Sequence, residues 1–140
     1  TACLYEAPAD WKSLCERFGI GSKIGNAVKS LSGNERQRLF IVLALIPNPD
    51  LVFLDELTTG LDAKARRDVW KILQELKQGG LTIFLTSHFM DEVEILCDEI
   101  CILKQGKAVF YGTVEQAKAV SGCEKFEDAY LMLSGEEVGE

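Results

Sequence analysis

The chain has 140 residues and 47% hydrophobic content, the length of one globular domain. Its net charge of −7 argues against nucleic acid as a partner, and its longest apolar stretch, Leu39 to Ile46, falls far short of the roughly 20 residues that a membrane-spanning helix needs. Five cysteines with no Cys-x-x-Cys spacing suggest neither a disulfide framework nor a zinc site, and reduced thiols fit the cytoplasm.

In chain order, Asp10 is placed to cap a short helix through about Phe18, with Trp11, Leu14, Cys15 and Phe18 on one face. Gly19-Ile20-Gly21-Ser22-Lys23 reads as a loop after it. Ser32 starts a second helix. Ser32-Gly33-Asn34-Glu35 is a capping box, with Glu35 reaching back to the amide of Ser32. A helix start of this kind also offers free amides and a positive dipole end to an anion. Pro47 and Pro49 end the helix.

Leu51 to Leu54 is an unbroken apolar run, which predicts a strand buried on both faces of a parallel sheet. Asp55 and Glu56 emerge where that strand ends. Ligands of open α/β sheets collect at the carboxyl ends of strands. Two adjacent carboxylates there can hold a divalent cation through water and orient or deprotonate an attacking water, which is the chemistry of nucleotide hydrolysis. The plainer reading is a strand followed by an acidic turn. Asp62 caps a helix to about Gln78 with a buried stripe of Val69, Ile72, Leu73 and Leu76, ended by Gly79-Gly80. Lys64, Arg66, Arg67 and Lys71 read as its solvated face. Leu81 to Leu85 is a second buried strand, so the segment is a βαβ unit, expected right-handed.

His88, the sole histidine, follows that strand and precedes a helix over Asp91 to Leu96. A lone histidine is commonly structural, but this placement, on the sheet edge expected for Glu56, favours a chemical role. Cys97 and Cys101 flank Asp98 and Glu99 and read as packing residues rather than metal ligands. Ile100 to Leu103 and Ala108 to Tyr111 predict a hairpin around Lys104-Gln105-Gly106-Lys107. Thr113 with Gln116 is another capping box, and a last helix over Phe126 to Leu133 presents Phe126, Tyr130 and Leu133 on one side. The acidic end, Gly135 to Glu140, is expected to be disordered.

Taken together, Leu31-Ser32-Gly33 with Gln37-Arg38, a strand ending in Asp55-Glu56, Gly60-Leu61-Asp62 and Ser87-His88 resemble the ATP-binding-cassette (ABC) ATPases in order and spacing. The likeness runs on through Phe89 to Glu94, Cys97-Asp98, Gly106-Lys107 and Gly112-Thr113, and covers roughly Trp11 to Ser121. The downstream spelling is most similar to the ATPase subunits of bacterial export systems.

The resemblance implies a partial P-loop NTPase fold of the ABC type, α/β, with a mostly parallel sheet, flanking helices and a remnant of the helical subdomain. It implies that Asp55 supports Mg2+, that Glu56 is the catalytic base, and that His88 is the switch residue touching the γ-phosphate of ATP. Asp62 is similar to the aspartate of the loop crossing the dimer interface. Ser32, Gly33, Asn34 and Glu35 stand at the signature motif, which contacts the nucleotide of the opposite subunit. The implied partners are a second ATPase subunit, head to tail, and a transmembrane permease subunit, with the protein cytoplasmic and peripheral at the inner face of the membrane. Residues 1–48 would be the helical remnant with the signature helix, 49–122 half of the ATPase core, and 123–140 a C-terminal helix and acidic tail.

No Gly-x-x-x-x-Gly-Lys-[Ser/Thr] phosphate loop occurs in the chain, so it resembles the C-terminal part of a cassette and is expected to be inactive alone. In the family the phosphate-loop strand lies between the strands expected at Leu81 to Leu85 and Ile100 to Leu103. Its absence predicts that these two pair directly, or that another copy closes the gap by swapping or dimerisation. Three positions depart from the family pattern. Asn34 stands where a second glycine is usual, Glu35 replaces glutamine and brings negative charge, and Leu57 replaces proline and is expected to alter loop stiffness. The alternatives to an exporter subunit are a soluble ABC ATPase acting on DNA or ribosomes, which would favour a basic surface or coiled-coil insertions, and a non-catalytic interaction module.

Overall fold

The computed structural model describes residues 2–135; of the acidic end, residues 136–140 lie outside them. The chain divides into two compact units, residues 1–86 and 87–140.

In the first unit, α1 (Trp11–Arg17) is capped by Asp10, whose side chain accepts from the amides of Lys12 and Ser13. Leu14, Cys15 and Phe18 are buried, as their spacing requires. Helix α2 (Gly33–Leu45) starts at Ser32 with both bonds of the capping box formed. Strand β1 (Leu51–Asp55) leads into α3 (Ala63–Gln78), which Asp62 caps and which buries Ala65, Val69, Trp70, Ile72 and Leu73. Strand β2 (Thr82–Thr86) then pairs with β1 in parallel, Leu51 opposite Thr82 and Asp55 opposite Thr86. The βαβ unit is therefore present.

The expectation that β1 is covered on both faces is corrected. Val52 and Leu54 are buried, but Phe53 is 68% exposed and its ring partner Phe84 on β2 is 56% exposed. Residues that alternate along a strand point to opposite faces. One face of this sheet is thus covered and the other is open among the described residues.

The second unit holds α4 (Met90–Leu96), a hairpin of β3 (Ile100–Lys104) and β4 (Lys107–Gly112), α5 (Val114–Ser121) and α6 (Phe126–Ser134). Gln105 and Gly106 both have positive φ, the geometry that lets a two-residue turn match the twist of its flanking strands. Thr113 forms its capping box with Gln116. Ile100, Ile102, Val114, Ala117, Phe126 and Ala129 make the core, with Cys97 and Cys123 packed against it.

The described strands form two separate two-stranded sheets, β1 with β2 and β3 with β4. Of the alternatives expected from the sequence, direct pairing of β2 with β3 is not found among the described residues. Strand β3 is instead paired by β4, which follows it through the tight Gln105-Gly106 turn.

Candidate functional site

The first unit gathers most of the residues singled out in the sequence. Asp55 ends β1 in register with Thr86, whose hydroxyl donates to Asp55 Oδ1. The Glu56 amide donates to the Thr86 carbonyl at 3.0 Å, extending the ladder by one residue. Glu56 itself has φ 45, the left-handed region that non-glycine residues seldom enter. The chain thus turns sharply at the second carboxylate, and both carboxylates are exposed at the C-terminal edge of the sheet.

The start of α2 is tied to this edge from the other side. Gln37 Nε2 donates to the Leu57 carbonyl at 2.7 Å, and Asn34 Nδ2 donates to Asp62 Oδ2 at 3.0 Å. Arg38 holds the far side of Asn34, with Nε 2.9 Å from Asn34 Oδ1 and a second nitrogen 3.0 Å from the Phe18 carbonyl. The side chain of Asn34, at the position where the family usually has a glycine, is therefore bonded sideways between Asp62 and Arg38. The Leu57 side chain is buried and its carbonyl accepts from Gln37, so the residue adds packing at this turn.

Glu35 reaches back to the Ser32 amide at 2.8 Å and pairs with Lys23 at 3.2 Å. The Ser32 amide first, then Lys23, hold its carboxyl below the usual range. The negative charge that this residue brings is thus engaged at its own helix start. Asp62 accepts the Ala65 amide at 2.9 Å on Oδ1, and that bond, followed by the Lys64 amide and the charge of Arg38, lowers its carboxyl as well. The capping role expected of Asp62 is present, and Asn34 occupies its other oxygen.

His88 lies in the second unit. It is exposed, with its ring 4.2 Å from that of Phe89. The structure thus brings Ser32, Gly33, Asn34, Glu35 and Asp62 together with the loop after Asp55 and Glu56, while His88 is described with the residues that follow it. Sequence reasoning assigned no role to Thr86, although a hydroxyl at the end of an apolar run, in register with a carboxylate, was a usable signal. The bridging function of Arg38 depends on tertiary contacts and had no local signature.

A single exposed carboxylate such as Asp55 fits the way Mg2+ is usually held, by one or two carboxylates together with waters and the phosphates of a nucleotide rather than by a protein cage. No cluster of three or more acidic, histidine or cysteine ligands occurs among the described residues.

Comparison with known proteins fits the same picture. A family profile described as "AAA domain, putative AbiEii toxin, Type IV TA system" matches residues 36–90. The Nod factor export ATP-binding protein I of Rhizobium etli is 42% identical over 116 residues, 82% of this chain and 37% of that protein. The daunorubicin/doxorubicin resistance ATP-binding protein DrrA of Streptomyces peucetius is 38% identical over 109 residues, 78% of this chain and 33% of that protein. A solved ATP-binding subunit of an ABC transporter superposes with a TM-score of 0.78 at 26% identity, covering 87% of this chain and 52% of that one. The chain belongs to the ABC ATPase family. It spans about a third of the length of the curated relatives it matches. A second ABC cassette, at 22% identity and a TM-score of 0.68, shares the fold. No helix among the described residues is long and apolar enough to cross a membrane.

Proposed function

We propose that this chain supplies the hydrolytic edge and the signature segment of the nucleotide site in an export-type ABC ATPase. The observation that carries the reading is the hold of the Thr86 hydroxyl on Asp55 at the end of a parallel strand, with Glu56 turned out beside it. That is where an α/β sheet presents its ligand. Asp55 would hold a hydrated Mg2+, which when bound would offset charge on the phosphates. Glu56 orients and deprotonates the attacking water. His88 contacts the γ-phosphate. The capping box engages the amides of Ser32 and Glu35, and those of Gly33 and Asn34, at the start of α2, would receive an anion. Asp62 crosses to a second ATPase subunit, and the assembly docks on a transmembrane permease from the cytoplasmic side.

Phosphate-loop amides and a lysine are needed to fix the β- and γ-phosphates. The chain has no such motif. Alone it neither binds Mg-ATP tightly nor turns it over, and calorimetric titration showing micromolar affinity would overturn that statement. The activity is tested in a chimera in which residues 11–121 replace the matching segment of the Rhizobium etli relative. The chimera hydrolyses ATP and its Glu56→Gln form does not. A folded chimera whose turnover survives Glu56→Gln rules the reading out.

A further inference from the structure

We propose that Glu92, acting through Ser87, is the positioning residue for the His88 imidazole. Glu92 is 0% exposed, although it lies in the first turn of α4 and its neighbours Asp91 and Glu94 are exposed. A carboxyl group withdrawn from water is costly unless it is hydrogen-bonded. Ser87 Oγ donates to Glu92 Oε2 at 2.5 Å, and the same oxygen accepts the Phe89 amide at 3.0 Å. A serine hydroxyl has a single proton to give. Once that proton is directed to Glu92, a lone pair of the oxygen is left aimed at the Phe89 amide. Residues 87, 89 and 92 are thereby pinned together around residue 88. The His88 ring lies 4.2 Å from the Phe89 ring at an interplanar angle of 37°. An exposed imidazole is thus set on a backbone fixed from a buried carboxyl. The purpose of this arrangement rests on the reading of His88 as a phosphate contact, but its test does not.

His88 is the sole histidine, so its ring signals are unambiguous in a labelled sample of the full chain. The wild type gives a strong nuclear Overhauser effect between the imidazole and the Phe89 ring and one dominant side-chain rotamer. Glu92→Ala deletes a fully buried side chain and can unfold the chain. Ser87→Ala removes only a hydroxyl and leaves the packing of Glu92 in place, and Glu92→Asp withdraws the carboxyl by one methylene. Both are expected to weaken the ring-to-ring signal at least two-fold and to average the rotamer, while a cooperative unfolding transition persists. Ser87→Thr, which keeps the hydroxyl, retains the wild-type signal. An unchanged signal in Ser87→Ala or Glu92→Asp, or an equal loss in Ser87→Thr, overturns the inference. Because nucleotide plays no part in these spectra, a failed chimera with intact positioning, or the reverse, identifies which reading is wrong.

Discussion

Asn34 and Asp62, 28 residues apart, join through one hydrogen bond the first turn of α2 to the cap of α3. A glycine at residue 34 could not make it. In the same side chain the amide oxygen takes Arg38, one turn on in α2, whose guanidinium also reaches the Phe18 carbonyl. Asn34→Ala is therefore expected to cost about 0.5–1.5 kcal/mol in urea unfolding. In Asp62→Ala the same substitution should cost less, because its partner is already gone. Strict additivity of the two would show that the bond contributes nothing.

Glu35 and Asp62 make stability depend on acid. Both have folded-state pKa values below their ordinary values, through bonds from backbone amides. A depressed carboxyl contributes stability above its unfolded pKa, and that contribution is lost as pH falls through the folded pKa. The urea midpoint should therefore drop on acidification from about pH 6 to about pH 3. The Glu35→Gln/Asp62→Asn double variant should show a smaller drop over the same range. Comparison with the variant removes the general effect of titrating the other carboxylates. Parallel slopes would contradict the assignment.

Phe53 and Phe84 pair at 5.3 Å between ring centres on the open face of the parallel sheet, while Leu73 on α3 is fully buried. Phe53→Ser should cost about 1 kcal/mol or less, mostly the aromatic pair, and should reduce binding of an apolar dye. Leu73→Ala should cost about 2–5 kcal/mol through lost burial and a cavity. Similar losses for the two would mean that the Phe53 face is covered in solution.

What the sequence made legible follows from how local each signal is. The capping boxes at Ser32 and Thr113, the cap at Asp62 and the turn at Gln105-Gly106 are each encoded within a few residues, and each forms as read. The apolar runs located both strands of the βαβ unit. They could not tell that Leu51 and Phe53 lie on an open face, because a strand's hydrophobicity records what can cover it and not what is present to do so. The roles of Thr86 and Arg38 escaped for a different reason. Their partners, Asp55 and Phe18, are 31 and 20 residues away in the chain, and only the parallel register and the packing of α2 bring them close.

Thr58 makes a last prediction possible, in the turn between Glu56 and Gly60. Its side chain is 0% exposed, and its hydroxyl has no hydrogen-bond partner among the described residues. A buried hydroxyl without a partner has lost its water and gained nothing in return. Replacing it by a methyl group of nearly the same shape removes that penalty. Thr58→Val should thus be neutral or stabilise the chain by up to about 1 kcal/mol, whereas Thr58→Ser keeps the hydroxyl, deletes the packed methyl and should destabilise it by about 1 kcal/mol. The two variants reverse in order if the hydroxyl is bonded to a buried water, since valine would then evict a partner that serine retains. Urea unfolding of the pair decides between a turn held by packing and one held through a water.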